Sequence, residues 1–224
     1  MRIRLSLMFI LIVISITQTS FGQKADRLIL KFAPLSLLDP FGDNIHLGSE
    51  FQVKGPFSIE TDFATYVQFL DSPRIKDRLG FKFKPEIRYY LNSKKQKTSN
   101  YKGFYIASEL YFIFDKFKRG DTYIHYEQAL DTNYLYHDYE RIRRFIVGDN
   151  IKIGYQAVTR IKLTFDYYFG LGLKYYNGSY DYKVSDPICC KVMRPFEIPV
   201  DKGIRPDVTF GIKIGYVLRP PDHQ

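Results

Sequence analysis

The side chains able to do chemistry are few in this chain, and they do not gather into a known machine. There are four histidines. His46 has Ser36 and Ser49 near it in sequence, the raw material for a nucleophile and its base, but nothing ties them into a recognised triad. His125 and His137 stand with Glu127 and Asp138, types that ligate metals, at a spacing that matches no known ligand pattern. The two cysteines are neighbours, Cys189 and Cys190. A disulfide between neighbours strains the peptide that joins them, so two loop thiols or an intermolecular contact is the expectation. No phosphate-cradling glycine loop, zinc motif or Cys-x-x-Cys occurs. The chain reads as a non-enzyme with no metal and no cofactor. A lipid A-modifying enzyme built on His46 is the catalytic alternative.

What does recur is charge on alternate residues. Lys82, Lys84, Arg88, Lys152, Lys162 and Lys213 stand against Glu50, Glu60, Asp62, Glu86, Glu109 and Asp166 on the polar faces, six of each sign. Paired, they would fill a narrow lumen, where an unpaired charge is costly. The elements that position them have period two, the period of a strand. In Phe57 to Phe69, Phe57, Ile59, Phe63 and Val67 share one face while Ser58, Glu60, Asp62 and Gln68 share the other. In Leu79 to Leu91, Phe81, Phe83, Ile87, Tyr89 and Leu91 alternate with charged residues. Ile161 to Tyr175 and Val208 to Leu218 repeat the pattern, and weaker versions run over Arg27–Leu35, Asn44–Val53, Gly103–Asp115 and Arg143–Tyr155. Pro85 lies inside a strand and cannot donate to a ladder, so a bulge or a local break is expected there.

The start of the chain says where these strands work. Arg2 and Arg4 precede an apolar run from Leu5 to Ile16, and Ser20-Phe21-Gly22 places small residues at a cleavage position. This is the layout of a signal peptide over residues 1–22, cut between Gly22 and Gln23. Its removal lowers the formal charge from +9 to +7, because Arg2 and Arg4 go with it. An exported chain rarely meets nucleic acid, so the basic balance points to outer-membrane lipids and lipopolysaccharide phosphates.

In lipid an open sheet edge would strand a row of backbone groups, so membrane strands must close into a ring. The fold expected over residues 23–224 is therefore all-β: an eight-stranded antiparallel up-and-down transmembrane β-barrel in the outer membrane of a Gram-negative bacterium. Its outer loops would be 36–43, 70–78, 116–142 and 176–206, and its periplasmic turns 54–56, 92–102 and 156–160, with the longest connections outside. A soluble lipocalin-like carrier with the apolar face inward is the rival architecture. Crowding argues against it: small barrels have little interior room, and the polar face carries Gly170, Gly172, Gly211 and Gly215, which make space for long charged neighbours. Tyr66, Tyr89, Tyr101, Tyr105, Tyr155, Tyr175, Tyr176 and Tyr216 lie near strand ends, where aromatic girdles form. Thr209 to Tyr216 is similar to the C-terminal signal read by the barrel-assembly machinery, although the chain runs on past it.

Several segments resemble a family of small outer-membrane β-barrels of unknown function: Lys84 to Leu91, Gly103-Phe-Tyr105 leading to Glu109 and Tyr111, Gly148 to Tyr155, and Phe165-Asp166 through Gly172. The resemblance implies the barrel and its location, and brings no catalytic residues. Individuality is expected in the loop carrying Tyr123, His125, Tyr126, Tyr134, Tyr136, His137 and Tyr139, since tyrosine-rich loops give large rigid contact area. The function expected is a structural or binding role through the outer loops, with an unidentified extracellular or protein partner. Small-solute passage is the alternative.

Overall fold

A computed structural model describes residues 28–38, 43–67, 75–91, 102–127, 132–182 and 202–218, without the side chains of residues 54 and 121–137. The signal peptide, Tyr101, Cys189 and Cys190 lie outside the described residues. The eight strands are β1 (Leu28–Phe32), β2 (Asn44–Lys54), β3 (Phe57–Tyr66), β4 (Ile75–Tyr90), β5 (Gly103–Glu127), β6 (Thr132–Val158), β7 (Leu163–Tyr182) and β8 (Gly203–Val217). Each pairs antiparallel with the next, and β8 returns to β1, closing the sheet into a ring.

The registers determine the shape of the ring. From Ile29 the partners run Glu50, Glu60, Glu86, Glu109, Asn150, Gly172 and Asp207. The direct β8 partner of Ile29 is Val217, ten residues from Asp207. A shear of this size on eight strands tilts them by about 40° and leaves an interior that side chains fill.

Strand lengths depart from the sequence pattern. β1 stops early because Pro34 has no N–H to offer, and Pro34–Leu38 forms a single 3-10 turn instead. Ser36 Oγ in that turn donates to the Asn44 carbonyl at 2.8 Å. The expected loop 116–142 is not a loop. β5 and β6 continue as a ladder to Glu127 and Thr132, eight residue pairs beyond Arg119–Glu140. Among the described residues the last β4 partner is Ile75 opposite Arg119, and the last β7 partner is Tyr182 opposite Arg141, so the ribbon rises roughly 26 Å beyond its described neighbours. The sequence there mixes aromatic, aliphatic and polar residues in both alternating sets, which hides a strand from a hydrophobic pattern. Likewise β7 runs to Tyr182 and β8 starts at Gly203, so the expected loop 176–206 shrinks from both sides. Pro85 makes a local break without a bulge. The β4–β5 pairs Phe83–Phe112 and Glu86–Glu109 flank it in unchanged register.

The described interior is polar and the outer wall apolar. Glu50, Glu60, Asp62, Glu86, Arg88, Lys152, Asp166 and Lys213 are buried, while Leu47, Phe83, Ile87, Ile151, Ile153, Leu171 and Phe210 are exposed. The inside-out arrangement of a lipocalin-like carrier is therefore not the one present.

Candidate functional site

The register puts Glu50, Glu60, Glu86 and Glu109 side by side on β2, β3, β4 and β5. Like charges directly opposite one another destabilise a sheet, so this row demands cations from elsewhere in the ring. They come from four strands. Arg88 on β4 is the hub: Nε meets Glu86 at 2.5 Å, Nη1 meets Asp166 at 2.7 Å and Nη2 meets Glu60 at 2.9 Å. Lys31 on β1 reaches Glu50 and Glu60 at 2.6 Å and Asp166 at 2.9 Å, and donates to the Gln156 side chain at 2.6 Å. Lys152 on β6 bridges Glu86 at 2.8 Å and Glu109. Lys213 on β8 bridges Glu60 and, at 2.5 Å, Asp62. Three hydroxyls complete the shell: Ser58 and Tyr90 donate to Glu50, and Tyr105 donates to Asp166. The Arg88 guanidinium also lies 4.4 Å from the Tyr105 ring centroid.

Bare backbone makes room for the rings. Tyr105, Tyr111 and Tyr168 have Gly154, Gly148 and Gly211 as direct cross-strand partners. A Cβ on Gly154 would lie 2.3 Å from Tyr105 Cζ, so any larger residue must displace the ring.

Toward the hairpin end three further tiers follow. Asp207 accepts from Lys174 at 2.6 Å and from Tyr111 at 2.7 Å. Above it Asp115 is gripped by Arg78 at 2.6 Å and Arg144 at 2.7 Å, and both guanidiniums lie against the Phe117 ring. Arg119 pairs with Glu140 at 2.6 Å beyond that. The loop boundaries expected from sequence excluded Arg78, Arg119 and Glu140 from the strands, while Asp115 and Arg144 stood at or next to the ends of expected strands.

Of the residues expected in the lumen, Glu50, Glu60, Asp62, Glu86, Arg88, Glu109, Lys152, Asp166 and Lys213 meet in the plug. Lys82 lies 5.0 Å from the Tyr66 ring centroid and Lys84 lies 5.9 Å from that of Tyr111. Lys162 does not belong there. It sits exposed in the β6–β7 turn with φ 67°, because β7 begins one residue later. Lys31 takes its place. Its signal was a single charge within an apolar strand, obscured because its inward neighbour Ile29 is apolar too. Three tyrosines assigned to girdles, Tyr66, Tyr105 and Tyr176, turn inward instead.

The serine–histidine pairing is not assembled. His46 Nε2 lies 3.1 Å from Asp62 Oδ2, Ser36 is spent on backbone carbonyls, and Ser49 projects to the opposite face of β2. Among the described residues no cluster of three metal-ligating side chains occurs. Of the tyrosine-rich segment, Tyr123 pairs in register with Tyr136 and His125 with Tyr134, His137 lies opposite Thr122, and Tyr126 lies opposite Asn133. Their side chains are outside the described set. Tyr139 is described and carries the Lys76 ammonium 5.1 Å from its ring centroid.

The outer wall has its own order. Along β5 and β6 the outward pairs run Phe104–Tyr155, Ile106–Ile153, Ser108–Ile151, Leu110–Asp149, Phe112–Val147 and Phe114–Phe145. Rings mark both limits. Phe63, Phe81, Phe114 and Phe145 follow one another with centroids 6.1, 5.1 and 4.7 Å apart at one limit. Phe57–Tyr89 at 5.1 Å and Phe104–Tyr155 at 4.9 Å stand at the other. The one charged side chain among those outward pairs is Asp149, exposed between Leu110 and Leu173.

No family model, no curated protein and no solved structure matches this chain.

Proposed function

We propose that this chain is an outer-membrane β-barrel whose lumen is shut by its own ion-pair plug, with a structural or binding role carried by the end that bears the β5–β6 ribbon. The observation that carries the reading is the apolar band. From Phe104 to Phe114 it covers eleven residues of β5. At a tilt of about 40° that is roughly 25 Å, the height of the apolar band on an outer-membrane barrel. Rings stand at both limits, where girdles belong. A wall of this kind facing water would be an apolar surface far larger than soluble proteins expose.

The short β2–β3 and β6–β7 turns then lie on the periplasmic side, and the ribbon stands in the medium. The family resemblance, which covers roughly residues 80–218, fits the same reading. Solute passage fits less well, since Arg88, Lys31, Lys152 and Lys213 cross the lumen and join carboxylates on other strands. The test is gel mobility of the detergent-extracted outer-membrane fraction, boiled against unboiled. A heat-dependent shift is expected. An unshifted band, with the protein in the soluble periplasmic fraction, would refute the reading.

A further inference from the structure

Beyond the phenylalanine row, the next outward positions on β5 and β6 are all cationic. Lys116 is the register partner of Arg143, and Lys118 of Arg141; Lys76 on β4 pairs in turn with Lys118. Cations directly opposite one another repel, and here two such pairs stack along one ladder. Carboxylates relieve this only in part. Asp77 takes Lys118 at 2.5 Å, and Asp181 takes Arg143 at 2.5 Å and Lys116 at 3.2 Å. The hydrogen bond from Lys118 holds the Asp77 carboxyl below its usual range, so it stays charged and adds nothing to the excess. Two carboxylates stand against five cations, Lys76 among them, and Arg141 has no carboxylate partner among the described residues. The side chains of Lys116 and Arg143 are 59% and 65% exposed.

We propose that this patch binds the phosphate groups of a phosphorylated glycolipid in the outer leaflet, the lipid A part of lipopolysaccharide, with its acyl chains against Phe81, Phe114 and Phe145. The inference rests on the outer-membrane reading above. Three physical features support it. The patch begins one residue pair past the aromatic row, at the depth of the head groups. Residues on one face repeat about 7 Å along a strand and about 5 Å across it, so one phosphate touches more than one cation. Arg141 and Arg143 supply planar forks that match phosphate oxygens, and Lys116 and Lys118 supply point charges. A bound phosphate also removes the repulsion that the empty ladder carries.

The test uses the full mature chain refolded in zwitterionic micelles, loaded with lipid A, washed, and assayed by native mass spectrometry for retained lipid. The variant is K116Q/K118Q/R141Q/R143Q, and the control is R160Q/K162Q, which removes charge from the opposite turn. Each cation near an anionic lipid is worth roughly fivefold in affinity, so the quadruple variant should bind about 600-fold more weakly. The control should bind as the parent does, and dephosphorylated lipid A should be lost from all three. Equal retention by the quadruple variant, or equal retention of dephosphorylated lipid A or of phosphatidylglycerol, overturns the inference. Heat-dependent gel mobility of the same samples separates the failures. A shift without phosphate dependence sinks the lipid site alone, and no shift in the parent sinks the barrel reading and the site with it.

Discussion

Arg88→Met removes the hub of the plug and keeps most of its volume. In the native lumen Arg88 sits within 3 Å of Glu60, Glu86 and Asp166, and within 3.6 Å of Glu50. Its side chain is fully buried. After the change Lys31, Lys152 and Lys213 remain to neutralise Glu50, Glu60, Asp62, Glu86, Glu109 and Asp166. Breaking a buried pair from one side leaves an uncompensated charge and costs about 3–5 kcal/mol. The carboxylates here share other cations, which places the expectation at about 3 kcal/mol. The assay is urea unfolding in vesicles, followed by tyrosine fluorescence and by the folded band on unboiled gels. Arg88→Lys keeps the charge but not the fork, so it should lose less. In a double-mutant cycle, Glu86→Gln should cost less in the Arg88→Met background than alone, with a coupling of at least ~1 kcal/mol. A loss under about 0.5 kcal/mol, or strict additivity with Glu86→Gln, would refute the claim that the guanidinium holds this plug together.

Other perturbations test other parts of the reading. Gly154→Ala puts a methyl group against the Tyr105 ring, 2.3 Å from Cζ without adjustment, and should cost about 1–3 kcal/mol in the same unfolding assay. Adding Tyr105→Ala to it should recover no less than half of the steric part. Lys162→Ala should change stability by less than about 0.5 kcal/mol, as a turn residue does; a loss of several would return Lys162 to the lumen. Asp149→Leu should stabilise the vesicle-embedded protein by about 1–2 kcal/mol, since its carboxylate faces the apolar band. An unchanged midpoint would mean that this stretch of β6 does not face lipid. In planar bilayers the parent should show no steady conductance, and steps of porin size would overturn the closed lumen.

The period-two alternation carried the strand count, the direction in which side chains point and the members of the plug. Phe81-Lys82-Phe83-Lys84 and Ile87-Arg88-Tyr89 leave little choice, because a strand puts neighbours on opposite faces and only one face can be apolar. Nine plug residues, from Glu50 to Lys213, were legible in that way. Lys31 was not, because Ile29 beside it on the inner face broke the contrast, and Lys162 was wrongly included, because β7 starts at Leu163 and not at Ile161, which leaves Lys162 in the turn and out of the lumen. The reach of β5 and β6 past Arg119 and Glu140 could not be read either, since a ribbon that mixes tyrosines and polar residues in both alternating sets has no hydrophobic period. Which carboxylate meets which cation was decided only by tertiary structure. Arg88 and Asp166 lie far apart in the chain and on strands separated by β5 and β6. The shear of ten that brings them to one level of the lumen belongs to the closed ring, and no strand contains it by itself. The cationic ladder has the same origin: Lys116, Lys118, Arg141 and Arg143 become neighbours because the β5–β6 register aligns them.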